Sequence, residues 1–275
     1  MSSFHTVQVL EHDQLRKIAP SIFATEAYHG MSDRYSFIPT IEVIDNLKRK
    51  GWLPVKAMEA KSRNEEKLGY TKHMVRLRKN DAPVMVGDVF PEIVLVNAHD
   101  GGAAYQMMAG LFRLICSNGM VTDDGIFQRA SIRHTGDVID EVLYTARHIG
   151  KELPKLQSVV QKLKCLELTR DQQGIYAVAA LDLKYDRDEK GDLLSPIRPE
   201  QILVPRRRAD AGNDLWSTFN MVQEHLLKGG LRGRSQSETF RRVRTRAVQS
   251  VSEDIRLNRA LWTLTQEMAK QVKRR

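Results

Sequence analysis

The chain has 275 residues and a mass of 31.4 kDa. At 41% hydrophobic and 28% charged it can build one large core or two modest ones, which excludes a wholly disordered polymer. Its formal charge of +9 is local: residues 201–275 hold 16 basic and 7 acidic side chains, whereas residues 1–200 hold 27 of each. Two cysteines, Cys116 and Cys165, exclude a disulfide-rich scaffold and a four-cysteine zinc site. No apolar run approaches the ~20 residues that span a bilayer. The opening residues lack a basic stretch followed by an apolar one, so the expectation is a soluble cytoplasmic protein with no membrane partner.

Residues 1–34 are weakly patterned and read as irregular. Behind Pro39, Thr40 is the expected N-cap of a helix with Ile41, Ile44 and Leu47 on one stripe. Lys48, Arg49 and Lys50 suit its last turn, and Gly51 its C-terminal stop. Two extended runs follow, Trp52 to Lys61 and Gly69 to Lys79. The second alternates, with Thr71, His73, Val75 and Leu77 on one face. Tyr70, Lys72, Met74, Arg76 and Arg78 lie on the other, which predicts an exposed cationic face. Glu92 to Ala98 is a further strand. His99, Asp100, Gly101 and Gly102 read as a tight hairpin turn, which favours Ala103 to Cys116 as the returning strand over the helix that the spacing of Met107, Leu111 and Leu114 also allows.

After Gly136 the period becomes helical. Ile139, Val142, Leu143 and Ala146 form one stripe; Leu156, Val159, Val160 and Leu163 form another. Gln173 to Leu183 predicts a third helix, and the polar stretch from Asp186 to Pro199 a linker. Asn213 or Asp214 caps a helix reaching Lys228, which Gly229 and Gly230 end. Leu231 to Ser237, rich in Arg, Gly and Ser, reads as mobile. Beyond it Arg242, Arg244 and Arg246 alternate with Val243, Thr245 and Ala247. Ser250 and Glu253 match a capping box for a final helix striped by Leu257, Leu261, Leu264, Met268 and Val272. The expected fold is α+β: a mainly antiparallel central sheet packed against helices, with a basic, mostly helical C-terminal region. The expected segments are 1–34 irregular, 35–185 core, 186–200 linker and 201–275 basic region.

Three chemistries compete. Arg206, Arg207, Arg208, Lys228, Arg232, Arg234, Arg241, Arg242, Arg244 and Arg246 concentrate positive charge near the C-terminus, with Lys72, Arg76 and Arg78 on the sheet. Guanidinium groups match phosphate oxygens bidentately and stay charged at any physiological pH. Tyr70, Trp52 and Trp216 are candidate stacking groups for bases, although Trp216 also suits an apolar core. His99, Asp100 and Cys116, with His134 as a second base, form the best enzyme constellation: a cysteine-dependent hydrolase, or a metal-dependent nuclease with Asp123 or Asp124. The same residues also fit a hairpin turn and inert packing. No H-E-x-x-H or C-x-x-C pair, Walker A motif or G-x-G-x-x-G occurs, so no cofactor is expected.

The run Val96-Asn97-Ala98-His99-Asp100-Gly101-Gly102, followed by Phe112-Arg113-Leu114-Ile115-Cys116-Ser117-Asn118-Gly119, resembles the core motif of phage/plasmid-like proteins of domain-of-unknown-function 932. Arg207-Arg208-Ala209-Asp210, Leu215 through Glu224, and Gly229-Gly230 are similar to the C-terminal signature of its enterobacterial prophage and plasmid branch. The resemblance implies a bacterial mobile-element context and no particular chemistry. The order of elements is also similar to that of Rad-type single-strand annealing proteins. The leading expectation is therefore nucleic-acid binding, most concretely single-stranded DNA binding or annealing in repair, recombination or maintenance, without nucleotide hydrolysis. Annealing implies self-association into a ring or filament. The alternatives are the hydrolase or nuclease centred on His99, Asp100, Cys116 and His134, and an interaction protein that counters host defence.

Overall fold

Pro39 holds an extended conformation, and helix α2, Thr40–Arg49, starts directly behind it. Its last turn carries Lys48 and Arg49, and Gly51 follows at φ 82°, a left-handed conformation that favours glycine. Thr40 is not the cap. It is the first helical residue, and its hydroxyl turns inward to two histidines instead of back to the helix N–H groups.

The computed structural model describes residues 9–32, 35–80, 89–113, 119–121, 130–132, 140, 144–148, 158–207, 210–236 and 241–273. It divides into two units, Met1–Leu156 and Gln157–Arg275. The fold is α+β, as expected. Among the described residues no helix is long and apolar enough to cross a membrane.

In the first unit, strands β1 (Trp52–Glu59), β2 (His73–Lys79), β3 (Val89–Asn97) and β4 (Tyr105–Arg113) pair antiparallel in that order. Two short strands, β5 (Gly119–Val121) and β6 (Ala130–Ile132), both pair with β4. The register sets Trp52 opposite Lys79, His73 opposite Asn97 and Arg78 opposite Glu92. Val75, Leu77, Ile93, Leu95 and Met107 are wholly buried and share the face of His73 by alternation. The bond between Thr40 and His73 puts α2 on that face, where Val43, Ile44 and Leu47 are buried.

The start of the chain is more regular than its pattern implies. Helix α1, His12–Ile18, opens on a capping box in which Gln14 Oε1 accepts from the Glu11 N–H (3.0 Å). A 3-10 turn, Pro20–Phe23, then buries Ser21 and Ile22. The Ser21 N–H and hydroxyl both donate to Glu59, which also accepts from Thr71, so this segment is stitched to β1.

The second unit is built on three helices: α3 (Arg170–Asp182), α4 (Leu215–Lys228) and α5 (Val251–Lys273). Residues 158–164 are also helical. A Thr169–Gln172 capping box starts α3, and Asp214 caps α4 by accepting from the Ser217 N–H (2.9 Å) and hydroxyl (2.6 Å). Helix α4 is the centre of this unit: Leu215, Phe219, Val222 and Leu226 are almost fully buried. Polar pairs join the helices, with Tyr176 and Thr265 hydroxyls 2.8 Å apart and Gln223 Nε2 donating to Asn258 Oδ1 (2.6 Å). Trp216 stacks on Phe219, and Trp262 meets Phe219 edge-on. The helix expected at 173–183 is α3 of this helical unit. The stripe of α5 is Leu257, Leu261, Trp262 and Thr265, with Leu264 and Met268 only partly covered.

Candidate nucleic-acid interface

Two glycines end α4 and turn the chain. Gly229 and Gly230 both have positive φ, 61° and 87°. A β-carbon on Gly229 would lie 2.5 Å from the backbone of Arg246, so the close approach of the two segments requires glycine. The Gly230 N–H donates to Thr245 O (2.7 Å), and the Thr245 N–H to Leu231 O (2.9 Å). These bonds start a two-stranded ribbon, β7 (Arg232–Arg234) with β8 (Arg242–Arg244). Leu231 to Ser237 was expected to be mobile; instead its arginines form half of this ribbon, because the segment finds a partner some ten residues further on.

The register sets Arg232 opposite Arg244, Gly233 opposite Val243 and Arg234 opposite Arg242. Alternation puts all four arginines on one face and Gly233 and Val243 on the other. All four arginines are exposed and border a cavity of about 610 Å³ together with Gly233 and Val243. Among the described residues no carboxylate pairs with any of the four. Like charges set directly across a ribbon oppose its pairing. The ribbon is held from outside: the Arg234 N–H donates to Pro196 O (2.9 Å), Gln201 Nε2 to Arg232 O (3.0 Å) and Gln236 Nε2 to Ser195 O (3.1 Å). Lys184 ties the base together, its ammonium donating to Leu226 O and Arg246 O.

The other nominated cations are divided. Arg241 and Arg246 are exposed beside the ribbon. Arg206 is turned to the end of α4, donating to Gly229 O and His225 Nδ1. Arg207 donates to Asp210 (2.7 Å) and Glu224 (2.8 Å), and Lys228 to Glu224 (2.9 Å). Arg208 lies outside the described residues. On the sheet, the expectation of an exposed cationic face is corrected for Arg76 and Arg78. Arg76 Nε donates to Glu92 Oε2 (2.6 Å) and Arg78 Nε to Glu92 Oε1 (2.9 Å), with the arginines 3% and 9% exposed and Glu92 wholly buried. Glu92, opposite Arg78 in register, draws both guanidiniums inward. Lys72, half-buried, contributes its carbonyl to Ala60 N–H across the strands.

The stacking candidates are also drawn inward. Trp52 and Trp216 are core side chains, 3% and 4% exposed. Tyr70 is half-buried, edge-on to Tyr28 with centroids 5.8 Å apart.

The motif around Asn97 and His99 builds a buried hub. Thr40 Oγ1 lies 2.8 Å from His73 Nε2 and 3.3 Å from His99 Nε2, and accepts from Asn97 Nδ2 (3.0 Å). His73 Nδ1 reaches Thr71 O (2.9 Å), and burial pushes the His73 imidazole down to about 4. His99 is wholly buried, its ring 4.8 Å from that of Phe37 and 5.1 Å from that of His73. Its backbone donates to Tyr70 O and accepts from the Tyr28 N–H, which widens the expected tight hairpin into a longer connection. Asp100 closes that connection: its Oδ1 accepts from the Gly102 N–H (2.9 Å), its Oδ2 lies 3.5 Å from Lys67, and Gly101 has φ 74°. Cys116, Asn118, Asp123, Asp124 and His134 lie outside the described residues. Among the described residues no group of three His, Cys, Asp or Glu side chains is disposed to hold a metal ion.

The motif around Asn97 and His99 thus builds a buried hub in the first unit, and the motif ending at Gly229 and Gly230 leads into the arginine ribbon of the second. Residues 27–262 match the family model described as Domain of unknown function (DUF932). The chain is 36% identical over 263 residues to the UPF0380 protein YfjQ of Escherichia coli (strain K12), covering 96% of this chain and 93% of that protein. The UPF0380 protein YafZ of the same organism matches with the same identity and coverage. The chain belongs to the DUF932 family, as its motifs imply. No solved structure matches it.

Proposed function

We propose that this protein binds nucleic acid through the phosphate backbone, with the arginine ribbon of the second unit as the contact surface. One observation carries the reading. Four exposed guanidiniums stand on one face of a two-stranded ribbon, in two like-charged cross-strand pairs, with no carboxylate beside them among the described residues. Such an arrangement is electrostatically unfavourable alone and is relieved by a polyanion, because neutralised phosphates release condensed counterions. Arginine forks fit phosphate oxygens.

Contacts of this kind carry no base readout and leave base edges free. That favours sequence-independent binding, and single-stranded DNA binding or annealing as its concrete form. Fluorescence anisotropy with labelled single-stranded and duplex oligonucleotides across a salt series tests it. The expected result is binding to oligonucleotides of unrelated sequence, weakening as salt rises. Absent or salt-independent binding would overturn the reading.

A further inference from the structure

We infer that each cross-strand arginine pair holds one phosphate, so that the ribbon grips two consecutive phosphates of a single strand. This rests on the nucleic-acid reading and makes it specific. In an antiparallel ribbon, residues facing each other alternate between hydrogen-bonded pairs and closer, non-bonded ones. The backbone shows which kind the arginines form. The Thr245 N–H bonds Leu231 O and the Ser235 N–H bonds Arg241 O, so residues 231/245 and 235/241 are the bonded positions. The Arg234 N–H points outward to Pro196 O, and Arg232 O outward to Gln201. Arg232/Arg244 and Arg234/Arg242 are therefore non-bonded pairs, the class in which side chains approach most closely, with Cα atoms ~4.5 Å apart.

Along each strand the two arginines are two residues, or about 7 Å, apart. Charge repulsion is therefore concentrated within a pair, and one anion placed between two guanidiniums relieves it. The two rungs point the same way from a ribbon that cannot splay. Its rear residue Gly233 is so close to Pro196 that an added β-carbon would lie 1.9 Å from the carbonyl oxygen. A ribbon with only two rungs is also shorter than the ~12 Å width of the major groove. Two neighbouring phosphates of one chain fit it better than phosphates on opposite strands of a duplex.

The slope of log affinity against log salt counts phosphates, not arginines, at about 0.7 per phosphate on a single strand. We would measure it by anisotropy with a labelled single-stranded 20-mer for the full chain, R232Q/R244Q and the quadruple R232Q/R234Q/R242Q/R244Q. The slope is expected to fall by about 0.7 on loss of one rung and about 1.4 on loss of both. R232K/R244K, which keeps charge and loses the fork, is expected to keep the slope and bind more weakly. A fall of about 2.8 in the quadruple variant means four separate phosphates and overturns the two-rung inference, while the nucleic-acid reading stands. An unchanged slope removes both the inference and the ribbon as the contact surface. Failure of the unaltered protein to bind at all removes the nucleic-acid reading itself.

Discussion

Gly233 rests against Pro196 at a distance no side chain can occupy: a β-carbon there would lie 1.9 Å from the Pro196 carbonyl oxygen. The contact fixes where the four arginines stand, since Gly233 lies between two of them and opposite Val243. Gly233→Val is expected to lift the ribbon off its support while leaving the buried faces of α3, α4 and α5 intact. Oligonucleotide affinity should fall at least tenfold, about 1.4 kcal/mol, with an unchanged far-ultraviolet circular dichroism spectrum. Undiminished affinity would show that the support does not matter to binding.

Glu92 serves two buried guanidiniums at once, so its removal takes a carboxylate partner from both. Glu92→Ala is expected to destabilise the first unit by about 3–5 kcal/mol, measured by urea unfolding. Binding below the unfolding transition should be unchanged, because Arg76 and Arg78 act in the fold and not at the ribbon. Tighter binding by this variant would instead show that Glu92 masks a second cationic surface.

Acid sensitivity should centre on the hub. Burial lowers His73 to about 4, below the ~6.5 of an unfolded histidine. Between those values the unfolded chain takes up a proton that the folded chain does not, so stability rises with pH. The His73 contribution is complete above about pH 6.5 and is lost as pH falls toward 4, by about 3 kcal/mol at the lower end. Thr40, Asn97, His99 and the Thr71 carbonyl surround this side chain, and none of them is a carboxylate. In urea melts, the stability of His73→Gln should therefore depend less steeply on pH in this window than that of the unaltered protein. Parallel profiles would contradict the assignment.

Arg207 and Arg244 should separate cleanly. Arg207 bridges Asp210 and the buried Glu224 beside α4, whereas Arg244 faces solvent. Arg207→Gln is expected to cost about 1.5–3 kcal/mol of stability and little affinity. Arg244→Gln should cost affinity and leave the melting temperature within a degree or two. The opposite pattern would reassign the two residues.

The elements with strong local signals were legible in the sequence. Asp214 before an apolar stripe and Gly229 after it delimit α4, and the alternation of His73, Val75 and Leu77 marks β2. Helix α1 was not legible, because seven residues give too little period and its stability comes from Leu15 packing into the core. The fate of each arginine was hidden for a different reason. Arg76, Arg78 and Arg207 carry the same charge in the sequence as Arg232 and Arg244, and only the strand register and the placement of Glu92 and Glu224 divide them. The ribbon was half visible in the alternation of Arg242 and Arg244. Its other strand reads as a flexible Arg-Gly-Arg stretch until Pro196 and Val243 close around Gly233.

The most direct measurement compares one labelled single-stranded oligonucleotide with the unaltered protein and with R232Q/R234Q/R242Q/R244Q at low salt, after confirming that the two melt at similar temperatures. The variant is expected to lose most of the affinity. Equal dissociation constants for two equally folded proteins would contradict it.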